Sequence, residues 1–194
     1  MKLEDFIKDR SQNQCELSGE TNGLSMYVVT PKQGKDEDAT ILISQKALAQ
    51  IEKQEEPDAK YWETILPTAM WSEVPAVQAV AWRMLNRFKN ETWAADALDI
   101  LYLEDDTLEW AKASGDHLND GVVEFHRDVN GTILQNGDSV TLVKDLDVKG
   151  SSLTAKMGTT VRNIRLDVDN FEYIEGKVDG QSIVIITKYV RKIG

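Results

Sequence analysis

Apolar positions recur along this chain with two different periods, and the change of period divides it. At the N-terminus Leu3, Phe6 and Ile7 fall at i, i+3 and i+4, the spacing of a short amphipathic helix over residues 2–11. Two β-like runs follow, at 24–29 and 40–43, separated by a polar loop at 32–38. The second run leads into a helical Leu48-Ala49-Gln50-Ile51. Residues 52–58 are charged and interrupted by Pro57, which predicts a linker or a helix boundary.

From residue 60 to 115 the helical period takes over. Pro75 suits the first turn of a helix, and Val77, Val80, Ala81, Met84, Leu85 and Phe88 follow at helical spacing. Arg83, Arg87 and Lys89 are expected on the far face and last turn of that helix, where cations suit the dipole. Thr92 is placed to cap the next helix, whose apolar face holds Trp93, Ala94, Ala97, Leu98, Leu101 and Tyr102. A capping-box pattern at 106–109 starts a last short helix, and Gly115 is placed to end it.

Beyond residue 120 the period drops to two. Residues 139–143, 159–164, 171–178 and 183–187 are short runs rich in β-formers. Asn130-Gly131, Asn136-Gly137 and Asp179-Gly180 are turn dipeptides, the last a type I′ hairpin signal. Short strands joined by such turns predict a small SH3-like β-barrel. The expected fold is α+β. Residues 1–56 form a zinc-ribbon-like module of two knuckles and two strands, 57–119 a tryptophan-rich helical segment, and 120–194 the barrel.

Composition adds constraints. A chain of 194 residues is long enough for one domain or two small ones. No run approaches the roughly 18 consecutive apolar residues of a membrane span, and no apolar leader follows the acidic N-terminus, so a cytoplasmic protein is expected. The single cysteine, Cys15, excludes an internal disulfide. The net charge of −11 is unevenly placed, with 12 basic and 23 acidic side chains in residues 1–121 and 10 of each thereafter. An acidic chain repels phosphate backbones; its C-terminal part alone does not.

Asn136-Gly137-Asp138-Ser139-Val140-Thr141, Lys144-Asp145-Leu146, Val148-Lys149-Gly150-Ser151-Ser152 and Gly158-Thr159-Thr160-Val161-Arg162-Asn163-Ile164-Arg165-Leu166 closely resemble the C-terminal domain of the PhnA family. Met70-Trp71-Ser72-Glu73-Val74-Pro75-Ala76-Val77-Gln78 and Ala81-Trp82-Arg83-Met84-Leu85-Asn86-Arg87 resemble the longer members of that family. The family is named after an alkylphosphonate-utilisation operon, and the resemblance implies no established reaction. It does imply an N-terminal zinc ribbon with two C-x-x-C knuckles. Laid on that pattern, the ligand positions here are Cys15, Ser18, Ser44 and Ala47. Only one is a thiolate, so a ribbon without zinc is expected, held by packing.

Other clusters carry weaker expectations. Trp62, Trp71, Trp82, Trp93 and Trp110 all fall in the helical segment, where indoles fill a core or line an aromatic cleft. The pairs Glu55/Glu56, Asp105/Asp106 and Asp167/Asp169 read as a solvated acidic face, since catalytic carboxylates must face each other across a cleft. His117 and His126, with Asp116, Asp120, Glu124 and Asp128, match no common metal spacing. Lys144, Lys149, Lys156, Arg162 and Arg165 form a basic set, but no aromatic residue lies between Val129 and Asn170 to stack bases. No catalytic, cofactor-binding or metal-binding residue is therefore assigned. The leading expectation is a non-enzymatic binding or adaptor protein with a protein or small-molecule partner and no membrane. The alternatives are an enzyme or accessory factor of alkylphosphonate metabolism, and RNA or ribosome binding through the barrel.

Overall fold

A computed structural model describes residues 2–34, 36–148 and 154–193. The chain divides into two compact units, Met1–Val123 and Glu124–Gly194. The fold is α+β, with helices in the first unit and small antiparallel sheets in both.

The first unit opens with α1 (Leu3–Arg10), then β1 (Leu24–Val28) and β2 (Thr40–Ser44), which pair antiparallel from Leu24 opposite Ser44 to Val28 opposite Thr40. Five helices follow: α2 (Gln45–Ile51), α3 (Ala59–Ala69), α4 (Pro75–Arg87), α5 (Thr92–Ile100) and α6 (Asp105–Lys112). A single 3-10 turn, Asp116–Leu118, comes after them. Pro75 occupies the first position of α4, where its missing N–H costs nothing. Helix α4 is the axis of the unit, packed by α3, α5, α6, the 3-10 turn and β2. Ala76, Ala79 and Ala81 are buried on it, and such small side chains let neighbours approach closely. Ile41 and Ile43 of β2 share one continuous core with Trp62, Leu66, Met84 and Leu85, so segments 1–56 and 57–119 contribute to the same interior.

Three local expectations shift here. Arg83 and Arg87 are 4% and 7% exposed, not on a solvated far face. Glu91, not Thr92, is the N-cap of α5, and Glu104 precedes α6, neither making a side-chain capping bond. The last turn of α6 ends through Ala113, and Gly115 instead leads the 3-10 turn with φ 75°. For the arginines the reason is tertiary: their donors reach the carbonyls of Thr30, Trp110 and Ala111 and the carboxylate of Asp116.

The second unit contains β3 (Val140–Leu142), β4 (Leu146–Asp147), β5 (Thr154–Ala155), β6 (Thr160–Val161), β7 (Arg165–Leu166), β8 (Tyr173–Val178), β9 (Gln181–Ile186) and β10 (Val190–Lys192). They form antiparallel sheets in the orders β10-β3-β6, β4-β5 and β7-β8-β9. The core is aliphatic: Val140, Leu142, Val161, Ile164, Ile174 and Ile185 are almost wholly buried. Along β8, Ile174, Gly176 and Val178 face inward while Glu175 and Lys177 face water, the period-two pattern of a half-buried strand. Asp179 and Gly180 both have positive φ, 48° and 81°, as a type I′ hairpin requires. Of the segments resembling the PhnA family, residues 149–152 lie outside the described residues.

Candidate functional site

Three places in the molecule gather chemistry-bearing side chains. The first is the pair of knuckles around Cys15–Ser18 and Ser44–Ala47. The Ser18 amide donates to Cys15 Sγ at 3.4 Å, and the Gly19 amide to the Cys15 carbonyl at 2.8 Å. In the second knuckle the Ala47 amide donates to Ser44 Oγ, also at 3.4 Å, which caps α2. Glu20 lies between these segments, and its Oε2 accepts the hydroxyls of Ser18 and Tyr61, each at 3.0 Å. Burial works against ionising Glu20, but the bonds from Ser44, Ser18 and Tyr61, with Lys46 nearby, outweigh it and hold its pKa below the ordinary value. A carboxylate, a serine hydroxyl and a phenol thus meet at Glu20.

The second place lies beside α4. A cavity of about 200 Å³ is lined by Tyr27, Lys53, Arg83, Arg87, Ser114 and Asp116, among others. Arg87 grips Asp116 with both ends of its fork, Nε to Oδ1 at 2.9 Å and Nη2 to Oδ2 at 3.3 Å. It also donates to the Gln50 and Ile51 carbonyls at the end of α2. Arg83 has no such anion. Its Nε and Nη2 donate to the carbonyls of Ala111, Thr30 and Trp110, and among the described residues no carboxylate pairs with it. Lys53 Nζ stands 3.7 Å from Asp116.

Two titratable groups of this cavity, Tyr27 and Asp116, are pushed away from neutrality. Burial raises the Tyr27 phenol well above its usual range, and its hydrogen bond to Glu52 raises it further. Burial opposes ionising Asp116, but Arg87, Lys53 and Ser114 outweigh it and lower its pKa. Burial lowers the pKa of Arg83. The Tyr27 phenol and the Asp116 carboxyl are thus both shifted away from the near-neutral range that suits general acid–base catalysis.

The third place is the surface of the second unit. Arg162, Arg165, Lys177, Glu175, Asn163 and Ser182 line a concavity of about 340 Å³. A larger, mostly apolar groove of about 530 Å³ runs along β9, lined by Leu146, Val148, Tyr173, Ile183, Val184 and Tyr189, with others. Among the described residues β9 pairs only with β8, and Val184 is 61% exposed.

The remaining sequence candidates go to separate tasks. Trp62 is fully buried with its Nε1 donating to Gln50 Oε1 at 2.7 Å, and Trp110 Nε1 donates to the Thr30 carbonyl at 2.9 Å. Trp82 and Trp93 pack partly buried against the core, while Trp71 is 58% exposed. The Asp128 carboxylate accepts the amides of Asn130, Thr132 and Lys192, each at 2.8 Å, tying the start of the second unit to its last strand. His126 is buried against Phe171, ring centres 5.2 Å apart, and its Nε2 has no partner. His117 packs on Trp82. Among the described residues no three His, Cys, Asp or Glu side chains are grouped to hold a metal ion. Lys144 sits over the Tyr189 ring, and Lys156 pairs with Asp145. Lys149 lies outside the described residues. The two arginines of the cavity were missed because their partners lie 27 to 53 residues away in sequence; two arginines four apart on a mostly apolar helix were the available signal.

Comparison with known proteins locates one of the two units. Residues 126–193 match the YjdM family, described as PhnA domain. Protein YjdM of Escherichia coli is 47% identical over 72 residues, 37% of this chain and 62% of that protein. Protein YjdM of Streptococcus mutans is 45% identical over 67 residues, 34% of this chain and 60% of that protein. The YjdM homolog of Haemophilus influenzae is 55% identical over 40 residues. The chain spans less than two thirds of the length of these curated relatives. No helix among the described residues is long and apolar enough to cross a membrane.

Proposed function

We propose that this chain, a PhnA-family protein through its residues 126–193, is a non-enzymatic binding or adaptor protein that works through the edge of β9. The second unit reads as an SH3-like barrel, a scaffold whose grooves take extended segments. The observation that carries the reading is the apolar groove along β9, a strand whose other edge has no strand partner among the described residues. An open strand edge beside apolar depressions suits an extended segment of a partner protein, which adds backbone hydrogen bonds along the edge and seats alternate side chains in the groove. In the first unit, the knuckles read as a zinc ribbon whose metal has been replaced by the Glu20–Ser18–Ser44–Tyr61 cluster. The fixed charges of the cavity beside α4 fit binding better than proton transfer.

The test is selection of peptides from a random display library against the full chain, followed by amide NMR. Selected peptides are expected to shift Ser182, Val184 and Ile186, and Val184→Lys is expected to abolish their binding by charging the edge. Peptides that bind the Val184→Lys protein unchanged, or that shift only other residues, would overturn the reading. A second reading, RNA binding, draws on Arg162, Arg165 and Lys177 around one concavity. It requires binding that weakens steeply with salt, because phosphate contacts release counterions; salt-independent binding disposes of it.

A further inference from the structure

The geometry points to the cavity beside α4 as a binding site for a small oxyanion, with Arg83 as its anchor and Lys53 at its mouth. This site is separate from the β9 groove and does not depend on it.

A buried cation without a counter-anion is costly, because burial removes its hydration and only a partner restores the loss. Arg83 is 4% exposed, yet its three hydrogen bonds all go to neutral carbonyls, and its Nη1 makes none. Every other charged group lining the cavity is engaged. Arg87 and Lys53 share Asp116, and Glu52 accepts from Tyr27. Three cations face two carboxylates, so the cavity carries one uncompensated positive charge. That charge sits in the part of the chain that holds 12 basic and 23 acidic side chains, so general attraction for anions does not explain it.

Lys53 supplies an independent observation. The Gln54 amide donates to the Ala49 carbonyl and the Lys53 amide to that of Gln50, which is the Schellman arrangement at the end of α2. That motif puts its C′ residue in the left-handed region and favours glycine there. Here the residue is Lys53, at φ 57°. A strained lysine on the wall of a charged cavity is the kind of outlier from which a function is inferred.

The size restricts the ligand. About 200 Å³ is less than the roughly 300 Å³ where pockets for drug-sized molecules begin, and it equals the share of about six or seven waters at about 30 Å³ each. A phosphate-like or carboxylate-like anion of a few heavy atoms fits; a nucleotide does not. Its oxygens would take the free Nη1 donors of Arg83 and the ammonium of Lys53, with Asp116 and Glu52 disfavouring a second anion.

The experiment titrates the full chain with inorganic phosphate at fixed ionic strength and follows the methyl signals of Ile51, Val80 and Met84, which line the cavity. A saturable shift of those methyls, accompanied by a rise in Tm, is expected. Lys53→Gly suits the backbone at that position, so it folds at least as well, and it is expected to weaken phosphate about five-fold by removing a partly exposed cation. Arg83→Lys keeps the charge but loses the fork, and is expected to weaken it further. Methyl signals that do not move, that move equally with chloride, or that saturate identically in Lys53→Gly would overturn the site. The peptide test reads residues 182–186, so either proposal can fail without the other.

Discussion

The central helix of the first unit carries two arginines into its core, and the central strand of the second carries a glycine. Arg83 and Arg87 hold α2, the segment around Thr30, α6 and the 3-10 turn to α4 through bonds to carbonyls and to Asp116. Gly176 does the opposite service. A Cβ built there would lie 2.3 Å from Val161 Cγ1, so the absence of a side chain is what lets β8 approach β6. One unit joins irregular helices and loops by directional bonds at a few points; the other closes short strands by shape. A polar anchor can fix segments that share no regular ladder, whereas sheets already satisfy their backbone and need only fit.

The largest effect is expected at Asp116. Asp116→Ala leaves Arg87 buried without its anion, and breaking such a pair from one side costs about 3–5 kcal/mol. All five tryptophans lie in the first unit, so their fluorescence in urea reports that loss directly. A loss below about 1 kcal/mol would mean that the polar anchor is ornamental. The same pair predicts a pH profile. Because the pKa of Asp116 is lower folded than its ordinary 3.8, its contribution is whole above that value and drains as pH falls through the folded pKa. Asp116→Asn should flatten the acid limb of the first unit's stability curve.

Gly176→Ala comes next, at about 2–3 kcal/mol from overpacking against Val161. The amide signals of Val161 and Ile164 are the place to measure it. Whether the loss also moves the tryptophan transition tells how far the two units unfold together.

These two sites also explain what the sequence disclosed. The Asp179-Gly180 hairpin, the Pro75 helix start and the strand positions of the second unit rest on backbone preferences of one or two residues, and those preferences are local. Arg83 and Arg87 were expected on the far face and last turn of their helix because cations suit its dipole, and nothing nearby in sequence names the carbonyls of Thr30 or Ala111. The candidate oxyanion cavity was illegible for the same reason, being assembled from α2, α4 and the turn after α6. The contacts of Glu20 with Ser18 and Tyr61, the latter 41 residues away, were not legible either.

The smallest effect sharpens the comparison where the first unit most resembles the second, at a turn. Ser44 ends β2 and caps α2 through Ala47, and its hydroxyl helps to hold the Glu20 pKa down. Ser44→Ala is expected to cost about 1 kcal/mol, the ordinary worth of a cap. If the Glu20 cluster merely fills space, that is the whole loss, and Tyr61→Phe adds to it independently. If the cluster holds the two knuckles together, the two substitutions share one network, and the double variant loses less than the sum of the singles. The double-mutant cycle therefore separates a capped helix from a rebuilt knuckle core, and additive losses would remove the second reading.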